Sequence, residues 1–327
     1  MAKREKAAGK GSAAPAAVPR LPLRKEFKKN WFLYLMMIPG IVFVFIFSYI
    51  PMAGLVMAFK DVNLMKGIWD SPWVAFKNFQ VIFGGESIRG MVVNAVKNTL
   101  FLNILFMLTG TIFSIVLAVA FSEVQGKMFK KVTQSISILP YFISWTVISL
   151  MLNGFINADN GVFTLLIEKL TGNSINFYIE AGYWPMILSL LKIWQGAGYG
   201  SIVYIATITG IDPGLYEAAE IDGASKWQQI TKITIPILMP TVILMTIFNI
   251  GRIFYGDFGM IYALISDNSA LYPTTDVFDT FVYRMMRNMQ EYGLSTAAGM
   301  VQSICGCLLV IGVNALARKY EPDAAVF

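Results

Sequence analysis

LYEAAEIDGASKWQQITKITIP, residues 215–236, decides how this chain is read. The stretch is polar, yet it lies between two long apolar runs, at 183–208 and 233–258. A polar segment in that position is a loop held at a membrane face. Its local signals describe two short helices joined by a glycine corner. Asp212 is placed to cap the first helix, with Pro213 at its first position. Gly223 supplies a residue able to adopt positive φ and end that helix. Ser225 and Gln228 spell a capping box that starts the second helix. Pro236 opens the next apolar run. A helical knob of this kind, projecting from a membrane domain, is built to touch a partner.

Composition points the same way. Of 327 residues, 56% are hydrophobic and 14% are charged, which is not the balance of soluble domains. A helix needs roughly 20 apolar residues to cross a bilayer core. Six runs qualify, at 31–59, 99–121, 132–155, 183–208, 233–258 and 292–317. Four hold no Asp, Glu, Lys or Arg; the other two hold Lys192, Arg252 and Asp257. The expected fold class is therefore an all-α integral membrane protein with six transmembrane helices, because lipid forces each run to satisfy its own backbone.

Basic residues orient the chain. Lys3, Arg4, Lys6, Lys10, Arg20, Arg24, Lys25, Lys28 and Lys29 precede the first run. Lys127, Lys130 and Lys131 follow the second, and Arg318 and Lys319 follow the sixth. These segments share one side of a six-span chain, and the positive-inside rule makes that side cytoplasmic. Both termini and the 215–236 loop fall there. The outer loops carry Lys60, Lys66 and Lys77, so the asymmetry is moderate. The basic excess reads as topology and contact with the lipid bilayer rather than nucleic-acid binding. Domain boundaries follow: a basic N-terminal arm at 1–30, disordered up to about Leu21; a membrane domain at 31–320; and a short cytoplasmic tail at 321–327. The first run spans a bilayer and its basic flank is long, so it reads as a retained span rather than a cleaved signal. Outer segments at 60–97, 157–182 and 259–291 are large enough to fold back on the spans; VFTLLIEKL (162–170) is amphipathic.

Enzymatic chemistry is mostly ruled out. The chain has no histidine, which removes histidine triads and imidazole zinc sites. The phosphate-cradling GxxxxGK[ST] pattern does not occur; GGESIRGM at 84–91 lacks the lysine. Cys305 and Cys307 fall on different faces of one helix and read as small packing residues, not as metal ligands.

The loop carries a resemblance. Glu217-Ala218-Ala219, then three residues, Gly223, nine residues, Ile233, and Ile235-Pro236 resembles the EAA loop of binding-protein-dependent ABC importer permeases. The usual leucine before the proline is Ile235. YIPMAGLVMAFKD (49–61), SPWVAFKNF (71–79), NTL (98–100), LPYFISW (139–145) and TDVFDTFVYR (275–284) are similar to the polysaccharide and complex-sugar, maltose-permease-like subgroup. The resemblance implies the type I ABC importer permease fold in a bacterial plasma (inner) membrane, multi-pass. It implies a transport subunit that is not itself an enzyme and binds no cofactor, with ATP and Mg used by the partner ATPase. Its implied partners are a homologous second permease, two ATPase subunits, an extracytoplasmic solute-binding protein and an oligosaccharide or polysaccharide. It also makes the 212–235 loop the coupling element. Carried over by position, Glu217, Ala218, Ala219 and Gly223 are docking residues, and Asp222 shares a helical face with Leu215, Ala218 and Ala219.

A substrate path is expected at polar groups within the spans, since intramembrane polar residues face the bundle interior or water. Asn153, Lys192, Trp194, Gln195, Tyr199, Tyr204, Asn249, Arg252 and Asp257 are the candidates, with Arg252 and Asp257 near the outer end of their span. Gly196, Gly198 and Gly200 mark either a close helix crossing or a flexible point, and close packing is the commoner use. Two other classes compete. An ion-coupled secondary transporter needs intramembrane acidic groups, and only Asp257 is on offer. A membrane enzyme needs a polar catalytic cluster, which the sequence lacks.

Overall fold

The computed structural model describes residues 28–320. The arm and tail residues 1–27 and 321–327, and the expectations made for them, lie outside the described residues. The chain forms two compact units, dividing after Leu55.

In the described part of the first unit, α1 covers Trp31–Val44 and a π-helical turn follows at Phe45–Tyr49. Pro51 comes two residues after that turn. A proline ring collides with the carbonyl four residues back, and widening the helix there relieves the clash without ending it.

The second unit starts at Val56, and its first α-helices are α2 (Lys77–Gly84), α3 (Glu86–Glu123) and α4 (Lys127–Ile138). A 3₁₀ turn at Leu139–Phe142 contains Pro140, and Ile143 and Ser144 are extended. Ser144 then caps α5 (Trp145–Ile156), its Oγ accepting from the Val147 N–H at 3.4 Å. The two halves of this run meet at a 96° bend. The single span expected at 132–155 is therefore broken, because proline removes the hydrogen bond and the serine starts a new helix. Next come α6 (Val162–Thr171) and α7 (Trp184–Thr209), then α8 (Pro213–Ile221) and α9 (Lys226–Gln229). A second π-helical turn at Ile230–Thr234 leads into α10 (Ile235–Ile250). Pro236 again follows the wide turn by two residues, so the helix runs unbroken over Lys226–Ile250. The second helix of the 215–236 loop is thus the first turns of the next span, not a separate piece. Beyond it lie α11 (Phe258–Ile265), α12 (Tyr272–Thr275), α13 (Phe278–Arg287) and α14 (Tyr292–Tyr320).

Among the described residues, four helices are long and apolar enough to cross a membrane, and five if the bent pair is one span. The count of six is not reached by that measure. With 26 residues, α7 is about 39 Å long at 1.5 Å per residue. It holds Lys192, Gln195, three glycines and Ser201, which dilute its apolarity. The fifth run also ends early, at Ile250. Residues 251–257 are irregular, so Arg252 and Asp257 lie beyond the helix that was expected to contain them.

The longest pairing is α3 along α7. It closes tightly: a Cβ on Gly200 would sit 2.6 Å from Ser114 Oγ, and one on Gly198 would collide with the Ser137 carbonyl of α4. Close crossing, not unwinding, is the use of these two glycines, while Gly196 faces open space. A core of Phe106, Leu152, Trp184, Leu188, Ile261 and Leu264 joins α3, α5, α7 and α11. A second, built on Ala95, Phe281, Met285 and Ala297, joins α3, α13 and α14. All three outer segments are folded, with helices at α2, α6 and α11–α13.

Candidate functional site

The hook at 212–235 has the local geometry its sequence describes. Asp212 Oδ1 accepts from the Gly214 N–H at 2.9 Å and starts α8. Gly223 has φ +77°, with open space where a Cβ would stand. Glycine is there for its backbone, not for room. The Ala224 N–H closes back on the Ala219 carbonyl at 2.9 Å. The capping box is complete: Gln228 N–H donates to Ser225 Oγ at 3.3 Å, and Ser225 N–H donates to Gln228 Oε1 at 2.7 Å. The hydroxyls of Tyr216 and Thr234 meet at 2.9 Å and tie the two arms together.

What the hook shows to solvent is mixed. Glu217, Ala218, Asp222 and Gly223 are exposed, and Ala219 is half-buried. Two residues that the sequence reading passed over stand out further. Ile221 is 87% and Trp227 is 73% exposed. Both are large apolar side chains left in the open within a polar loop. Their signal was present as apolar letters inside a polar loop.

The second feature is a cavity of about 640 Å³. Its walls are α3 (Asn103, Thr111, Ser114), α7 (Lys192, Tyr199, Tyr204), α10 (Met245, Asn249) and the irregular segment with Arg252, Tyr255 and Asp257. Six of the nine substrate-path candidates line it: Lys192, Tyr199, Tyr204, Asn249, Arg252 and Asp257. Asn153, Trp194 and Gln195 do not. Gln195 is buried, donating its amide to the Ile143 carbonyl at 3.1 Å within the α4–α5 bend. Trp194 lies on α7 away from the cavity and is 44% exposed. Asn153 accepts from the Asn157 amide on α5.

Charge inside the cavity is partly cancelled. Lys192 of α7 forms an ion pair with Asp257, and its ammonium stands 5.6 Å from the Trp145 ring centroid. Asp257 also caps α11, its Oδ1 accepting from the Met260 N–H at 3.1 Å. The partner of Asp257 is thus Lys192 on another helix, not Arg252 on its own segment. Tyr199 stacks on Tyr141 with centroids 4.1 Å apart.

Side chains from distant elements hold the segment that carries Arg252 and Asp257. Asn103 of α3 donates to the Ile253 and Tyr255 carbonyls at 2.8 and 2.9 Å. Gln302 of α14 donates to the Phe254 carbonyl at 2.8 Å and to Asp279 Oδ2 at 3.1 Å. Asp279 Oδ2 also accepts from the Gly256 N–H at 2.6 Å. Burial pushes the Asp279 carboxyl above its ordinary range, opposed by these two hydrogen bonds. Deeper still, Asn98 donates to the Tyr272, Pro273 and Asp276 carbonyls. Asp276 and Arg284 form a two-point ion pair at 3.0 and 2.6 Å, with the guanidinium 4.0 Å from the Tyr272 ring centroid. Asn98, Asp276, Asp279 and Arg284 fall within the NTL and TDVFDTFVYR stretches that carry the resemblance, with no role attached to them there, while Asn103 and Gln302 go unmarked because a lone Asn or Gln in an apolar run carries no local pattern.

Comparison with known proteins adds to this geometry. The family model for "Binding-protein-dependent transport system inner membrane component" matches residues 110–322. The polygalacturonan/rhamnogalacturonan transport system permease protein YteP of Bacillus subtilis (strain 168) is 34% identical over 322 residues, covering 95% of this chain and 98% of that protein. A crystal structure of a bacterial ABC transporter involved in the import of the acidic polysaccharide alginate matches with TM-score 0.81 and 34% identity, covering 91% of this chain and 99% of that one. The bacterial alginate transporter in complex with an alginate pentasaccharide-bound periplasmic protein matches with TM-score 0.79 and 34% identity, covering 91% and 97%. The chain belongs to the family of binding-protein-dependent transport system inner membrane components and is a permease subunit of an ABC importer.

Proposed function

We propose that this permease carries an oligosaccharide or polysaccharide, delivered by an extracytoplasmic solute-binding protein, through its cavity by alternating access. It works beside a homologous second permease, and two partner ATPases that use ATP and Mg drive it through the hook. The hook is the cytoplasmic coupling element of a membrane domain at 31–320, with the arm at 1–30 and the tail at 321–327 on the same side.

One observation carries this reading. The hook joins α7 to the helix of α9 and α10, and those same helices form two walls of the cavity. Any displacement of the hook reaches both walls through continuous helix. The capping box, the Asp212 cap and the Tyr216–Thr234 contact make the hook rigid enough to transmit it. Glu217, Ala218, Ala219, Asp222 and Gly223 form the docking face, and exposed Ile221 and Trp227 extend it with apolar area. When the ATPases close on ATP they draw paired hooks together, and the walls rock between inward- and outward-open arrangements. The cargo class rests on the polysaccharides for which the relatives are named and on a cavity lined by Tyr199, Tyr204, Tyr255 and Asn249, which suit hydroxyl-rich rings. An ion-coupled carrier fits less well, because the acid in the cavity lining, Asp257, is already held by Lys192.

Crosslinking tests the coupling. In the assembled importer, Ala218→Cys should form a bond to an ATPase subunit in a bifunctional reagent, and nucleotide should change its yield. Crosslinks to lipid or to this subunit alone would falsify the coupling role.

A further inference from the structure

The cavity lining holds three charged side chains among its described residues: Lys192, Arg252 and Asp257. Lys192 and Asp257 cancel one another. Arg252 is exposed, and among the described residues nothing occupies its guanidinium. Its backbone, by contrast, is held. The Arg252 N–H donates to the Asn249 carbonyl at 3.0 Å, and Asn103 pins the carbonyls of Ile253 and Tyr255 at 2.8 and 2.9 Å. A fixed backbone carrying an uncompensated guanidinium at a residue of the cavity lining is a ready anion site. Guanidinium is the side-chain group that matches a carboxylate at two points. The exposed ring of Tyr255 and that of Tyr199 line the same space and offer flat surface for a sugar.

We propose that Arg252 binds the carboxylate of a uronic acid unit, so that the carried saccharide is anionic and Arg252 determines that specificity. This rests on the carbohydrate reading above and sharpens it. The ion pair has a matching part: by neutralising Lys192, Asp257 leaves the cavity with one net positive charge rather than two. Asp257 therefore sets how strongly the anion is preferred.

The test uses the whole importer, purified with its second permease and ATPases. Short oligogalacturonates and oligomannuronates are titrated against the same oligomers with their carboxyl groups reduced, which differ in charge and little else. The wild-type assembly is expected to bind the acidic form about tenfold more tightly, the ratio of one charge-assisted pair. Arg252→Gln should bring the ratio close to one, and Arg252→Lys should keep part of it. Asp257→Asn, which frees Lys192, should raise it. Co-purification of the partner subunits shows that each variant has folded. Equal binding of both forms by the wild type overturns the proposal, as does an unchanged ratio in Arg252→Gln, which would place that guanidinium against lipid or the second permease. If neither form binds, the carbohydrate reading falls with it.

Discussion

The hook at 212–235 and the outer segment at 251–291 each have short helices and turns between long helices, yet they are built in opposite ways. The hook owes its shape to neighbours in sequence. Its caps, its box and its corner bond across two to five positions, and most of its side chains stay in the open. The outer segment owes its shape to distant partners. Asn98 and Tyr272 are 174 positions apart, and Leu271, Val277, Phe281 and Met285 are among the most buried residues in the chain. On the proposed coupling role, a part that grips another protein is made locally rigid and left uncovered. A part that must hold a cavity wall in place is sunk into the core.

That contrast can be broken most severely at the buried ion pair. Asp276 and Arg284 are 4% and 12% exposed at their side chains. Asp276→Ala strands the guanidinium and should cost about 3–5 kcal/mol. Thermal unfolding in detergent should show a large loss, while a hook peptide or the ATPases play no part. Gly198→Val comes next. Its side chain meets the Ser137 backbone rather than a movable side chain, so overpacking of about 1–3 kcal/mol is expected, read as a lower melting temperature. Gly223→Asp sharpens the comparison from the other side. The strain at φ +77° should cost only about 1–2 kcal/mol, leaving insertion and melting little changed. Uptake should nonetheless drop about tenfold or more, the factor of a docking loss near 1.4 kcal/mol. Wild-type substrate-stimulated ATP hydrolysis in that assembled mutant would refute the role of the corner. The smallest effect belongs to Ser225→Ala. Loss of the cap should cost about 0.5–1 kcal/mol locally, visible as faster amide exchange at Gln228 with near-normal transport.

Legibility followed the same divide. The hook was readable residue by residue, and so was the amphipathic helix at Val162–Thr171. Pro236 was read as a boundary, but a π-helical turn absorbs it and the helix passes through. The run at 132–155 reads as one span by apolar length, although Pro140 and Ser144 together hold the signals for a bend. Six of nine candidates reached the cavity: Lys192, Tyr199, Tyr204 and Asn249 from the helices, where a polar group has few other places to go, and Arg252 and Asp257 from the irregular segment that closes the wall. Gln195 was the instructive miss: it is satisfied by a backbone carbonyl that the bend exposes, and the bend itself went unforeseen.

From the sequence alone came the membrane class, the hook with its corner and caps, the absence of histidine chemistry and the resemblance to importer permeases. All of these are properties of composition or of residues within a few positions of each other, where propensity and capping act. The tertiary structure alone decided that Lys192 finds Asp257, that Arg252 has its charge uncancelled among the described residues, and that Asn103 and Gln302 hold the segment between them. Those outcomes depend on which helices meet and at what depth. A pairwise charge or hydrogen bond between distant positions has no trace in either local neighbourhood.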